Sequence, residues 1–516
     1  MLASTSILSQ CLIRLFGTTG GISPPWRAGQ RRRAKRRYAC AAEVMESREL
    51  LSASFGGVVS LGSPDGSCIA NDVATDASGD RYVIGTFSGT VDFDAAADST
   101  YNLVAQGNYD AYVAKYEADG TFAWAQRMGG DATIVSGSVT NSLSTDSGVQ
   151  ITLDGSGNVY IVGTFTGSAD FGSAAPLSAS AAGDRDAFVA KLNASDGVFQ
   201  WAKSWGTTGP DLAEGVGVDS AGNVYTSGLH AGAPNYYTLT YDSDIIKFNS
   251  SGIKVWSRSI ATRSGTPSGG LAVDSSGNTF VAGSFLGTVD FDPGNKTNNV
   301  SSGSSYSAYS GFVLKLTTAG NYSWVSPFVS QTVGSTSGLS YVNSVALDGS
   351  GNVVVGGQYH NSVDFDSGRG TTTLPTIGGG FISKLNSKGG LVWARALESS
   401  STTFVNDLAV GTDGSIYATG TFFGTVDLDP SAGSYTRTTA GSGDAYVLKL
   451  TSAGGFSWAE TFGGTGYDGG AGISLDSTGA VNIVGAYSGP IDFDPDPLNV
   501  FNLDTHGTFL LRMLQV

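Results

Sequence analysis

An all-β fold, a seven-bladed β-propeller with four antiparallel strands per blade, is predicted by three features of this 516-residue chain. Glycine is abundant, at 74 residues, which suits many short strands joined by tight turns. Alternating runs such as Tyr82-Val83-Ile84-Gly85-Thr86-Phe87 recur, while sustained apolar spacing of three and four is absent beyond the N-terminal region. One pattern also returns in seven imperfect copies of roughly 65 residues, a period that points to an array.

The first two strands of each unit are plainest in VATDASGDRYVIGTF from Val73. The other copies are ITLDGSGNVYIVGTF from Ile151, VGVDSAGNVYTSG from Val216, LAVDSSGNTFVAGSF from Leu271, VALDGSGNVVVGG from Val345, LAVGTDGSIYATGTF from Leu408 and ISLDSTGAVNIVGAY from Ile473. Between the strands stands Asp-x-x-Gly-Asn, as at Asp154 to Asn158 and Asp274 to Asn278. The Asp caps its own turn and the Gly supplies a positive φ, so a hairpin is predicted. A calcium loop would need more carboxylates and a downstream Glu.

A variable loop follows, then a third strand: DAYVAKY from Asp110, DAFVAKL from Asp186, SDIIKF from Ser243, GFVLKL from Gly311, GFISKL from Gly380, DAYVLKL from Asp444 and TFLLRML from Thr508. The fourth strand carries one tryptophan, at Trp124, Trp201, Trp256, Trp324, Trp393 and Trp458, read as core or inter-blade packing rather than a carbohydrate platform. The seventh copy stops after its third strand, and residues 53–65, ASFGGVVSLGSPD, follow the fourth-strand pattern without the Trp. An N-terminal strand is therefore expected to complete the last blade beside residues 508–516.

With these copies in register, residues 53–516 resemble the propeller repeats called SBBP repeats, common in bacterial secreted proteins, and are similar in part to NHL-type repeats. The resemblance implies the fold and lends no single activity. A parallel β-helix would need far shorter coils.

Charge divides the chain. Residues 1–52 hold nine Arg or Lys against three Glu, leaving 19 basic and 41 acidic side chains from residue 53 onward, a net charge of −22. Such a body repels nucleic acid and anionic lipid and attracts cations or basic partners. Of Cys11, Cys40 and Cys68 only the last falls among the repeats, so no disulfide framework holds them, and no apolar run is long enough for a transmembrane helix. A monomer is expected.

The basic run Arg31 to Arg37 follows, rather than precedes, the weakly apolar residues 1–16, a poor order for an ordinary signal peptide. The next stretch, AEVMESRELLSA from Ala42, resembles the N-terminal motif of planctomycete exported and surface proteins through Glu43, Glu46, Arg48, Leu50, Leu51 and Ser52, while Met45 and Ser47 depart from it. That resemblance implies a secreted or cell-surface protein with residues 1–52 as a largely disordered export region. The alternative is a solvated basic arm.

Four strands of alternating direction put the Asp turns on one face and gather the variable loops and the Gly-Gly exits on the other. A ligand site is expected on that loop face or at the channel mouth. Leaving strand two, the chain repeats an acidic motif that pairs Asp92 with Asp94, Asp290 with Asp292, Asp364 with Asp366, Asp427 with Asp429, and Asp492 with Asp494. These are candidate calcium ligands, although two carboxylates fall short of the six to eight oxygens calcium takes. Alternatively each Asp caps a turn while Phe93, Phe291, Phe365 and Phe493 pack between blades.

No residue set is assigned as catalytic. His230, His360 and His506 fall in different blades and lack ligand or triad spacing. Glu214, His230, Arg263, His360 and Glu398 are off-pattern charges that could sit near the channel mouth. Two functions remain in view: an extracytoplasmic scaffold or binding module for a protein or polysaccharide, and a secreted polysaccharide hydrolase or lyase with an acidic, calcium-dependent site.

Overall fold

Why the middle strands of each repeat read as nearly continuous apolar runs becomes clear once they are placed: both of their faces are covered by neighbouring blades. In Asp110–Tyr116 every side chain is buried, and the same holds for Thr279–Phe285, Gly379–Leu385, Ile416–Phe422 and Asp444–Leu450. The computed structural model describes residues 53–515 apart from 63–65, 97, 131–145, 173, 175, 180–184, 208, 232–240, 265–268, 304–307, 334–335, 376–377, 495–500 and 504–505. The basic region 1–52, and the export expectations attached to it, lie outside the described residues.

Seven antiparallel sheets follow one another along the chain. Blade 1 is built from Gly66–Thr75, Arg81–Asp92, Asp110–Tyr116 and Phe122–Met128. Blade 6 repeats it with Thr403–Val410, Ile416–Phe422, Asp444–Leu450 and Phe456–Phe462. There is no single core. The apolar side chains form clusters that each straddle two blades: Tyr82, Ile84, Val113 and Trp124 of blade 1 meet Ile151, Ile161, Phe171 and Phe188 of blade 2.

The ring closes as the sequence predicts. Blade 7 consists of Gly469–Leu475, Val481–Ser488 and His506–Gln515, completed by Ala53–Leu61 as its fourth strand. The register runs from Ala53 opposite Gln515 to Leu61 opposite Thr508, with an irregularity between Phe55 and Gly57. Leu61 is fully buried and joins Val484 and Leu510 of blade 7 to Val73, Val83 and Phe87 of blade 1. Across that junction the Thr508 hydroxyl donates to the Cys68 carbonyl at 2.7 Å and accepts from the Ala70 amide at 3.2 Å.

The tryptophans bind blade to blade. Trp124 Nε1 donates to the Ala194 carbonyl at 3.1 Å, Trp201 to Ser250 at 3.2 Å, Trp256 to Thr318 at 3.1 Å, Trp324 to Ser387 at 3.3 Å and Trp393 to Ser452 at 3.4 Å. Each acceptor lies in the turn between strands three and four of the next blade. The same turn presents a glycine at positive φ against the ring: Gly197, Gly252, Gly320, Gly389 and Gly454. A Cβ on Gly389 would come within 2.7 Å of Trp324, and one on Gly454 within 3.0 Å of Trp393, so these turns exclude a side chain on steric grounds as well as conformational ones.

One element was not foreseen. In blades 1, 2, 4, 6 and 7 the variable connection between strands two and three forms a small hairpin, as where Thr288–Asp290 pairs with Asn299–Ser301 and Thr425–Asp427 with Thr436–Thr438. Strands of two or three residues are too short to show a period of two. In blade 5 the equivalent Val363–Asp364 pairs instead with the end of blade 4's fourth strand, Tyr322–Ser330. Isolated bridges link Gly129 to Asp170 and Ser399 to Val426 in the same sense. The insertion thus clasps the preceding blade.

Candidate functional site

The turn face is regular. Asp154 accepts the Ser156 and Asn158 amides on Oδ1 at 2.8 and 3.0 Å, and the Asn158 side chain and Tyr160 hydroxyl on Oδ2 at 2.7 and 2.9 Å. Asp219, Asp274 and Asp348 repeat the backbone pattern. These are turns, as the sequence predicts. The donors hold the Asp154 and Asp219 carboxyls below the usual range against the effect of burial, and Asp348, which also meets Lys384 at 2.9 Å, at about 2.

Every acidic pair from the sequence lies where its hairpin or extended segment turns over. Asp92 Oδ1 accepts the Asp94 and Tyr101 amides, Asp290 those of Asp292 and Asn298, and Asp364 those of Asp366 and Thr372. Asp427 accepts from Asp429 and Tyr435, and Asp492 from Asp494 and Phe501, all ten bonds spanning 2.7–3.1 Å. The second carboxylate caps its own bend: Asp94 accepts from the Ala96 amide, Asp292 from Gly294, Asp366 from Gly368 and Asp429 from Ser431. Phe93, Phe291, Phe365 and Phe493 are fully buried. Phe93 packs at 4.8 Å from Tyr112, and Phe291 and Phe365 at 4.9 Å from Phe312 and Phe381.

The pairs are not brought together with one another. Among the described residues no group of three or more His, Cys, Asp or Glu is arranged to hold a metal ion. Asp427 and Asp429 nevertheless line a groove of about 300 Å³ with Glu398 and Arg395 of blade 5. Wider clefts, of about 560 and 660 Å³, open between blades on the turn face, beside Asp76, Asp413 and Asp476 and beside Asp154 and Asp219.

The inner strands form the channel wall, and six of the seven carry a bulge at a common register. Bulged Asn71, Asn343 and Asn406 donate to the carbonyls of Gly148, Val405 and Gly470 on the next inner strand, at 2.6, 3.0 and 2.8 Å. Asp72 and Asp407 likewise accept the amides of Ile151 and Ile473, at 3.0 and 2.9 Å. Burial pushes the Asp407 carboxyl up to about 6; it also raises Asp72, with the Asp407 charge adding to the effect.

The off-pattern charges sit apart. His230, one residue before the end of strand two of blade 3 (Val224–Ala231), meets Asp244 Oδ2 through Nδ1 at 2.9 Å and stands opposite Asp211, and that bond to Asp244 raises its pKa. Arg263, at a φ of 51°, donates its amide to Asp242 in the same blade. His360 ends strand two of blade 5 opposite Leu339. Glu214 is buried on blade 3's inner strand, Asp211–Val218.

What sequence reasoning missed is aromatic. At the register where six of the seven inner strands meet the loop face stand Ile69, Ser147, Leu212, Tyr341, Phe404 and Gly469. Tyr341 lies 5.6 Å from Tyr309, Phe404 6.2 Å from Phe423, and Phe423 6.3 Å from Tyr467. Aligning the copies on the strand-two glycine (Gly85, Gly357, Gly420) would have exposed this ring of positions.

Fold and site together define a seven-bladed β-propeller whose loop face departs from its own repeat. No family model matches the chain. Among curated proteins it is similar to an uncharacterized WD repeat-containing protein of Acanthamoeba polyphaga mimivirus, 23% identical over an alignment of 473 positions that covers 80% of this chain and 29% of that protein. The chain therefore spans less than a third of that relative's length. Among solved structures it is similar to a protein of unknown function from Dyadobacter fermentans, at 11% identity and a TM-score of 0.39, covering 90% of this chain and 99% of that one. A quinohemoprotein alcohol dehydrogenase of Comamonas testosteroni gives 10% identity and a TM-score of 0.37, with coverage of 87% and 76%.

Proposed function

We propose that this chain is an extracytoplasmic scaffold or binding module that presents its loop face to a protein or polysaccharide. One observation carries the reading: the turn face repeats a single Asp-capped hairpin in six of the seven blades, whereas departures from the repeat (Tyr341, Phe404, Tyr467, the His230–Asp244 pair and Glu398) gather at the loop-face ends of the strands. Structure repeats where it only has to fold, and it varies where partners are recognised. The whole chain, immobilised and offered soluble polysaccharides and secreted proteins, is expected to retain a ligand without converting it. New reducing ends, abolished by single Asp or Glu substitutions, would replace this reading.

The second reading, a polysaccharide hydrolase or lyase, draws support from the groove holding Glu398, Asp427 and Asp429 together. Calcium belongs to this proposal, since each acidic pair keeps carboxylate oxygens near a hairpin tip. A melting temperature that does not differ between millimolar calcium and chelator would remove the ion. Export rests on the resemblance of residues 42–53 to the planctomycete motif, and kinship with SBBP-type repeats on the copies themselves. Fractionation of the native cell tests the former.

A further inference from the structure

Of the rings at the loop-face mouth of blades 5 to 7, Tyr467 is exposed and Tyr341, Phe404 and Phe423 are half-buried, and the backbone beneath Tyr467 and Phe423 is pinned. Tyr467 is 48% exposed, yet the Asp468 amide donates to the Gly443 carbonyl at 2.7 Å and the Ser442 amide to Gly466 at 2.8 Å, stitching one connecting loop to the next. Phe423 is held in the same way: its amide donates to Thr402 at 2.9 Å, and Ser400 and Thr425 exchange bonds at 2.8 and 2.9 Å. A Cβ on Gly443 would strike the Phe423 ring at 2.8 Å, so the ring rests directly on backbone. Aromatic groups held this firmly, one exposed and three half-buried, offer contact area with little ordering cost on binding.

The surroundings select the ligand's chemistry. Ser400, Ser401 and Thr465 are exposed beside the rings, and glycines 464 and 466 leave their flanks low. Residues 399–404, 421–425, 440–443 and 464–469 contain no Lys, Arg or His. Their neighbouring carboxylates, Asp444 and Asp468, are buried and turned onto the amides of Ala440, Gly464 and Ser488. The result is a row of rings set among hydroxyls, with no Lys or Arg in these segments and the exposed Glu398 carboxylate at their edge, on a body that is strongly acidic overall. A pyranose has that complement: a C–H face that lies against an aromatic ring and a rim of hydroxyls that bonds to polar neighbours. An anionic polymer would find no Lys or Arg in these segments and would face Glu398, and a protein partner would meet rings divided by glycine and serine rather than a continuous apolar patch.

Resting on the binding-module reading, we propose that Tyr341, Phe404, Phe423 and Tyr467 form a stacking surface for a neutral polysaccharide. The test is affinity electrophoresis of the whole chain through gels containing a soluble β-glucan, a xylan, a galactomannan or, as the anionic control, a polyuronate. At least one neutral polymer is expected to retard the protein while the polyuronate does not. Tyr467→Ala and Tyr341→Ala are expected to weaken that retardation tenfold or more with unchanged melting temperature, and Phe404→Leu guards against a packing effect. Absence of retardation by every neutral polymer, or retardation kept within twofold in the Tyr467→Ala/Tyr341→Ala double variant, would overturn the proposal. Retardation kept in that variant would still leave a binding module with its site elsewhere. Cleavage of a retained polymer would instead sink the binding-only reading while sparing the stacking surface.

Discussion

Substituting Gly454 by alanine should cost more in the native ring than in one that lacks Trp393. Gly454 sits at a φ of 76°, and its missing Cβ would lie 3.0 Å from the Trp393 ring of the preceding blade. Two penalties therefore combine: about 1–2 kcal/mol for an L-residue in the left-handed region, and on the order of 1 kcal/mol more for moving a ring that is only 8% exposed. At about 2.1 cal/mol/K per residue, a ring of roughly 460 residues has an unfolding entropy near 1 kcal/mol/K, so each kcal/mol lowers the melting temperature by about 1 °C. Gly454→Ala should then lower it by about 2–3 °C in the native background but only about 1–2 °C beside Trp393→Ala, a change that itself costs about 3–5 kcal/mol. Differential scanning calorimetry of the four proteins in the cycle reads this directly. Equal shifts in both backgrounds would mean that ring and turn do not bear on each other, and the inter-blade clamp would be wrong.

The fourth strand of blade 7 is the weak point of closure: Leu61→Ala should cost about 2–5 kcal/mol, and deleting residues 53–62 should lower the melting temperature severalfold further and promote association through the bared edge of His506–Gln515. Unchanged melting together with unchanged light scattering would refute the closure. Stability should fall between pH 5 and pH 8. Burial holds Asp146 up to about 7 and Asp211 and Asp407 up to about 6, so the folded state binds more protons than the unfolded chain above about pH 4, and the stability these groups lend at low pH is lost as pH rises through 6 to 7. Asp146→Asn should flatten that decline, and a melting temperature that climbs steadily from pH 5 to 8 would contradict it. The depressed carboxyls, Asp348 among them, act only below this window.

Sequence alone carried the architecture because the features that build it are local. The Asp-x-x-Gly-Asn turn needs a capping carboxylate and a positive φ within five residues, and the third strands need apolar residues on both faces because blades cover both. Blade 7 was legible for the same reason, since the copy ending near Val516 lacks a partner that residues 53–61 supply. Spacing along the chain did not show what depends on register between blades. Tyr341 and Phe404 are 63 positions apart in the chain yet occupy the same register on adjacent inner strands. The Asn71, Asn343 and Asn406 bridges are invisible until the bulges are placed. The acidic motif could be read two ways because a carboxylate that caps a turn and one that awaits a cation are written with the same residues.

Closure of the ring by the N-terminal strand supports everything placed on the loop face, and amide hydrogen exchange over residues 508–515 tests it most directly. With Ala53–Leu61 and Val481–Ser488 pairing on either side, amides along this strand should be as protected as those of Asp444–Leu450 in blade 6. Rapid exchange at every second amide, the signature of a strand with one open edge, would show that the ring is latched elsewhere or not at all.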